Sequence, residues 1–181
     1  FKLFVYTEAM NQGLTPCDKR RDEYIRMEVY DKVKHENTIW TPSNANGRFS
    51  GDSIPLKSAF ARSINSIAVR LGQEMGIKNI IETAHVMGIK SPLDEAPALA
   101  LGSSDVNLLE MANAYSTVAN DGKAHPEAIL VTKILDREGN EIYVAPSEQK
   151  QAISLKAAYF MQKLLQAGMR DAGGTSQSLW G

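Results

Sequence analysis

Residues 60–71 run Phe-Ala-Arg-Ser-Ile-Asn-Ser-Ile-Ala-Val-Arg-Leu, and how this stretch coils decides what the molecule can be. With Leu56 and Ala59 before it, Phe60, Ile64, Ile67, Ala68 and Leu71 fall at helical spacing and make one buried stripe. At roughly 100° per residue, Ser63 and Asn65 would point about 200° apart on an unbroken helix, Ser63 into the stripe and Asn65 out of it. Two readings fit. The helix is continuous and the serine bonds back to a carbonyl, or it breaks and Asn65 caps a second helix over 66–75. Only the break lets the two polar groups converge.

Working outward, Ser53 is a good N-cap for this block, with Pro55 near the first turn. Before it, 41–53 is a loop of small polar residues containing Pro42, Gly47 and Gly51, long enough to ask what it covers. Residues 24–31 alternate apolar and polar like a half-buried strand, and 2–11 look helical, stopping near Gly13. Downstream, Gly76 and Gly88 bracket a short helix with Ile77, Ile80, Ile81 and Ala84. Asn107 and Glu110 have capping-box spacing ahead of Leu108, Met111, Ala112, Tyr115 and Val118, in a helix that ends near Asn120. Residues 128–135 and 141–144 flank Asp136-Arg-Glu-Gly-Asn140, a hairpin signal. A last helix over 154–170 is apolar nearly all round and should be buried on more than one side. The expected class is mainly α (α+β).

Composition excludes several functions. Twenty basic and twenty-one acidic residues leave a net charge of −1, so no positive field exists to hold nucleic acid. Cys17 is the single cysteine, and His35, His85 and His125 lack metal-site spacing, so neither a metal nor a cofactor is expected. Phosphate-loop and dinucleotide fingerprints are missing, and no run approaches the roughly 20 apolar residues of a membrane span. A chain that opens on Phe1, with no cap before its first helix, reads as an internal piece of a longer protein. Whatever chemistry it carries must use Lys, Ser and Asn.

The run Trp40-Thr-Pro42, Asn44, Gly47, Gly51, Leu56, Ala59, Ser63-x-Asn65, Ala68-Val69-x-Leu71 resembles the region around the S-x-N motif of penicillin-binding proteins. The block Ala100-Leu-Gly102 through 109–115 to Asn120-Asp-Gly122 is similar to the helix that follows in that domain. The opening Phe1-Lys2-x-Phe4-x-Tyr6 is similar to the end of the family's S-x-x-K motif. The resemblance covers nearly the whole chain and leans towards the bifunctional class A type.

That resemblance implies a partial transpeptidase domain over residues 1–181, the helical subdomain of the serine β-lactamase/penicillin-binding-protein fold. A small β-hairpin is expected, with most of the central sheet missing. It implies a D,D-transpeptidase that cross-links peptidoglycan stem peptides through a serine acyl-enzyme and, when intact, is acylated by β-lactams. Lys2 aligns with the lysine one helical turn after the nucleophile, Ser63 with the proton relay, and Asn65 with the partner of lysine and substrate. The nucleophile would lie two residues before Phe1, and no Lys-Thr-Gly or Lys-Ser-Gly occurs, so this chain alone is expected to be inactive. Gly173-Gly174-Thr175 looks like the approach to the missing strand. Truncation should expose apolar faces of residues 2–10 and 154–170 and favour self-association. The parent would act outside the cytoplasm, on the periplasmic or cell-wall side, anchored in the cytoplasmic membrane. The alternatives are a non-catalytic helical interaction module, or a serine β-lactamase or D,D-carboxypeptidase of the same superfamily.

Overall fold

The structure is a computed structural model that describes residues 1–31, 34–125, 129–146 and 148–179. Its centre is helix α1 (Lys2–Asn11), in which every residue from Leu3 to Met10 is buried. The sequence Leu-Phe-Val-Tyr-Thr-Glu-Ala-Met is apolar around most of its circumference, and a helix of that kind needs cover on all sides. Cover comes from α3 (Asn65–Met75), α4 (Ile77–Val86) and α6 (Leu155–Arg170), all packed against it. Each fully buried Leu, Val, Phe or Met contributes roughly 1.5–3 kcal/mol. Glu8 is the one charged residue in this helix interior; its carboxylate accepts from Thr83 Oγ1 at 2.6 Å and from Gln12 Nε2 at 2.7 Å.

This arrangement overturns one expectation about faces. Residues 2–10 present no exposed apolar face for self-association, because neighbouring helices already surround them. Helix α6, expected to be buried on several sides, is instead one-sided. Ala157, Ala158, Met161, Leu164, Ala167 and Gly168 are buried, while Leu155 and Tyr159 are exposed. Its outer face is finished by Lys163, whose Nζ lies 5.0 Å from the Tyr159 ring centroid. Ser154 caps the helix, its Oγ accepting from Ala157 N at 3.1 Å.

Strands are short and pair in twos. Among the described residues there are four two-stranded antiparallel ladders and no larger sheet. β1 (Lys19–Arg21) pairs with β4 (Ser53–Pro55), and Arg20 Nε ties this ladder to α3 by donating to Glu74 at 2.7 Å. Ser53 is therefore a strand residue, not a helix cap; α2 (Leu56–Ala61) begins only after Pro55. Its first amide is held by the loop between α1 and β1, with Leu56 N donating to Asp18 O at 2.7 Å. β2 (Met27–Asp31) alternates half-buried and exposed residues as its sequence suggests, and its partner is β3 (Glu36–Trp40).

Helices α3 and α4 meet at Gly76, whose φ of 87° suits glycine. A 3₁₀ turn over Pro97–Leu101 then packs on α3. Asn107 caps α5 (Leu108–Ala119), accepting from Glu110 N at 2.9 Å. The Glu110 carboxylate accepts from Ser91 Oγ at 2.7 Å, and so clamps the 89–92 loop to the helix. The stripe expected on α5 is displaced: Ala114, Thr117 and Val118 are buried, while Leu108 and Tyr115 are exposed. β5 (Lys123–Ala124) pairs with β8 (Lys150–Gln151). The expected hairpin is β6 (Lys133–Leu135) against β7 (Glu141–Val144); the expected start of its first arm at Ala128 lies outside the described residues. A second 3₁₀ turn, Gln177–Leu179, follows α6.

Candidate active site

Helix geometry breaks where the sequence needs it to. α2 stops at Ala61 and α3 starts at Asn65. Between them Ser63 N donates to Phe60 O at 2.9 Å and Ile64 N donates to Ala59 O at 3.0 Å, the pair of bonds that closes a helix when the residue after its cap turns left-handed. That residue is normally glycine. Here it is Ser63, with φ of 54°. A left-handed conformation costs a residue with a Cβ about 1–2 kcal/mol, and retained strain of this kind points towards function. Ser63→Gly should therefore raise stability by about 1 kcal/mol in chemical denaturation, while removing the hydroxyl that lines the cavity described below. A loss of stability would mean that Ser63 is held there by contacts rather than against its preference.

Asn65 does not cap α3 with its own side chain. The cap position is Ile64, which has no side-chain oxygen. The loop at 41–52 supplies the acceptor instead. Asn44 Oδ1 accepts from Asn65 N at 2.9 Å and Ser66 N at 3.1 Å, satisfying two donors that a helix start leaves open. The Asn65 side chain is thereby free for other work. Its Oδ1 accepts from Lys2 Nζ at 2.7 Å and its Nδ2 donates to Ser43 O at 2.9 Å. Lys2, on the first turn of α1, thus meets the broken helix across 63 residues of sequence. Burial pushes its ammonium below the ordinary lysine value.

Asn44 is held in turn by Asp22. The buried carboxylate of Asp22 accepts from Asn44 Nδ2 at 2.7 Å, Ser66 Oγ at 2.6 Å and Ser50 N at 2.9 Å. Burial alone would raise its pKa, but the donors from Ser66, Ser50 and Asn44 outweigh it and hold the group below the usual carboxylate range. The backbone joins in: Asp22 N donates to Asp52 O at 3.0 Å and Gly51 N donates to Asp22 O at 2.9 Å.

Lys2 and Ser63 line one cavity of about 300 Å³, together with Phe60, Tyr115, Thr175 and others. Gly173-Gly174-Thr175 closes on the site: Thr175 N donates to Ala61 O at 3.0 Å and Ser176 N to Gly168 O at 3.0 Å. Lys2, Ser63 and Asn65 are thus brought together. Asp22 and Ser66 were missed because nothing local marks them. Asp22 sits in Lys-Arg-Arg-Asp-Glu, which reads as a solvated charge run. Asn44 stood in the resembling stretch without a role.

The family model for the penicillin binding protein transpeptidase domain matches residues 1–180. Penicillin-binding protein 2D of Bacillus subtilis is 33% identical over 170 residues, which cover 94% of this chain and 24% of that protein. Penicillin-binding protein 1A of Neisseria gonorrhoeae is 32% identical over 177 residues, covering 94% of this chain and 21% of that protein. The chain therefore spans about a quarter or less of the curated relatives it matches. Among solved structures, penicillin-binding protein 1A of Haemophilus influenzae superimposes with a TM-score of 0.83 at 26% identity, over 98% of this chain and 31% of that one. Penicillin-binding protein A of M. tuberculosis, at 22% identity and a TM-score of 0.72, shares the fold. Sequence, fold and the meeting of Lys2 with the S-x-N turn agree, and the chain belongs to the penicillin-binding protein transpeptidase domain family.

Proposed function

We propose that this chain supplies the lysine and the S-x-N element of a serine D,D-transpeptidase that acts on peptidoglycan stem peptides outside the cytoplasm and is acylated by β-lactams. The observation that carries the reading is the 2.7 Å bond from Lys2 Nζ to Asn65 Oδ1. A serine three residues before Lys2 would share its helix face. Neutral Lys2 takes that serine's proton as the oxygen attacks the D-Ala-D-Ala carbonyl, and burial favours the neutral amine this step requires. Ser63 relays the proton to the departing D-alanine nitrogen. Asn65 holds Lys2 and the substrate amide. A second strand's amine then takes the acyl group and releases the serine. Among the described residues no helix is long and apolar enough to cross a membrane; the membrane anchor is proposed for the parent protein.

The test has two parts. The 181-residue chain incubated with a labelled penicillin should keep its mass, because Ser63 is a relay and the serine before Lys2 is not among its residues. A stoichiometric adduct on Ser63 would overturn that role. A longer protein that adds the serine-bearing segment and a Lys-Thr-Gly strand should be acylated on the serine one turn before Lys2, and failure to label there would overturn the reading.

A further inference from the structure

Lys2 and Tyr6 lie at i and i+4 on α1 and so share a face of that helix. The face meets the broken helix on both sides of Ser63. Lys2 Nζ donates to Asn65 after the turn. Before the turn, the Tyr6 ring packs edge-on against Phe60, with centroids 5.0 Å apart and planes at 74°. Among the described residues this is the one aromatic pair that joins two helices; α2 otherwise leans chiefly on α6. Phe60 is tied to Ser63 directly, its carbonyl accepting from Ser63 N at 2.9 Å. It also lines the cavity of about 300 Å³ that holds Lys2 and Ser63.

Tyr6 is fully buried, yet its hydroxyl has no hydrogen-bond partner among the described residues. A buried hydroxyl left unpaired costs stability, so what Tyr6 contributes is its ring. The ring matters because Ser63 is left-handed, with φ of 54°. A residue with a Cβ stays in that region only where its surroundings over-determine it. The bond from Ser63 N to Phe60 O fixes the turn from one end. It does so only while Phe60 is itself held, and Tyr6 holds Phe60 against α1.

We propose that Tyr6 and Phe60 are positioning residues for the acyl transfer. Their edge-to-face contact locks the left-handed turn to the helix that carries Lys2, and so fixes the separation of Lys2 and Ser63. Both act through Ser63. The effect on the reaction rests on the transpeptidase reading; the effect on the turn does not.

Phe60→Leu and Tyr6→Leu keep apolar bulk but lose the edge-to-face contact. In the 181-residue chain, each should weaken the strong intraresidue HN–Hα nuclear Overhauser effect that marks Ser63 as left-handed. The effects between the Lys2 and Asn65 side chains should weaken with it. The rate is read in a longer protein that adds the serine-bearing segment and a Lys-Thr-Gly strand. There each variant should slow penicillin acylation roughly 10- to 100-fold, the scale of a misplacement of about 1 Å, with the noncovalent dissociation constant for the penicillin little changed. Tyr6→Phe keeps the ring, drops only the unpaired hydroxyl, and should match the parent in both measurements. Ile80→Ala opens the core at a fully buried residue of α4 and should lower stability without moving either readout.

A Phe60→Leu acylation rate equal to the parent's, or a Ser63 turn unchanged in that variant, would overturn the proposal. So would a loss in Tyr6→Phe as large as in Tyr6→Leu, which would move the role to the hydroxyl. An equal loss in Ile80→Ala would overturn it too, by making the effect one of stability. If Tyr6→Leu does not fold, Phe60→Leu, which alters a half-buried ring, decides alone. If the longer protein resists acylation with every residue intact, the transpeptidase reading falls, and the Ser63 and Lys2 spectra of the 181-residue chain still decide whether the two rings hold the turn.

Discussion

Lys2→Ala should slow penicillin acylation roughly 100- to 10,000-fold, the range a positioned general base contributes. The measurement belongs in a longer protein that joins this chain to a serine three residues before Lys2 and to a Lys-Thr-Gly strand. The expectation follows from the geometry: Lys2 Nζ is fixed at 2.7 Å from Asn65 Oδ1, and it shares a cavity with Ser63. Asn65→Ala should cost less, roughly 10- to 100-fold, because it removes one charge-assisted hydrogen bond and leaves the base in place. The pH profile separates the two variants. A lysine acts as a base only when neutral, so the acylation rate should rise as pH climbs through the Lys2 pKa, which burial places below the ordinary value of 10.5. Asn65 Oδ1 accepts from Lys2 and steadies the ammonium more than the amine. Without it the rising limb should move towards lower pH. Stopped-flow acylation with a chromogenic β-lactam reads both effects. A Lys2→Ala rate within 5-fold of the parent's would remove Lys2 from the chemistry.

How far the fold was legible depended on whether its signal was local. Gly13, Gly76, Gly88 and Ser154 punctuate the chain, and α1, α4 and α6 stand within a residue or two of where those marks put them. Burial was another matter. Periodicity ranks the faces of one helix but cannot say how many neighbours will cover it: α1, expected to expose an apolar face, is enclosed, while α6, expected to be buried on several sides, is one-sided. β1 could not be read at all, since Lys19-Arg20-Arg21 has no apolar alternation; it is a strand because 53–55 pairs with it. At the site, Lys2, Ser63 and Asn65 were named through the family resemblance, and the break between α2 and α3 was legible. The support beneath them was not. Asn44 caps a helix 21 residues away, and Asp22 reaches Ser66 across 44. Such long-range polar bonds leave no local pattern, because the same side chains in a loop would bond their own neighbours or water.

Asp22 carries the largest stability expectation. Asp22→Ala should lower the unfolding free energy by about 3–5 kcal/mol, because it leaves three buried or half-buried donors, on Asn44, Ser66 and Ser50, without their acceptor. That is a large part of the 5–15 kcal/mol typical of a folded chain. Asp22→Asn should cost less, about 2–3 kcal/mol: its oxygen can replace Oδ1, but its amide then confronts the Ser50 N–H donor to donor. Ser66→Ala, which deletes one bond, should cost about 1–2 kcal/mol. The carboxylate is held below its unfolded pKa. Its contribution is therefore complete above the unfolded value and lost as pH falls through the folded one, and Asp22→Asn should remove that acid-side loss. Urea denaturation at several pH values measures all of this. The consequences should reach the site as well. Once Asn44 loses its anchor, the amides of Asn65 and Ser66 lose their cap, and the Asn65 side chain is drawn back towards its own helix end. The Lys2 titration, followed by NMR at its side-chain carbon, should then shift in a folded Asp22→Ala chain. A stability change under about 1 kcal/mol, with Lys2 undisturbed, would mean that packing rather than this carboxylate holds the S-x-N turn.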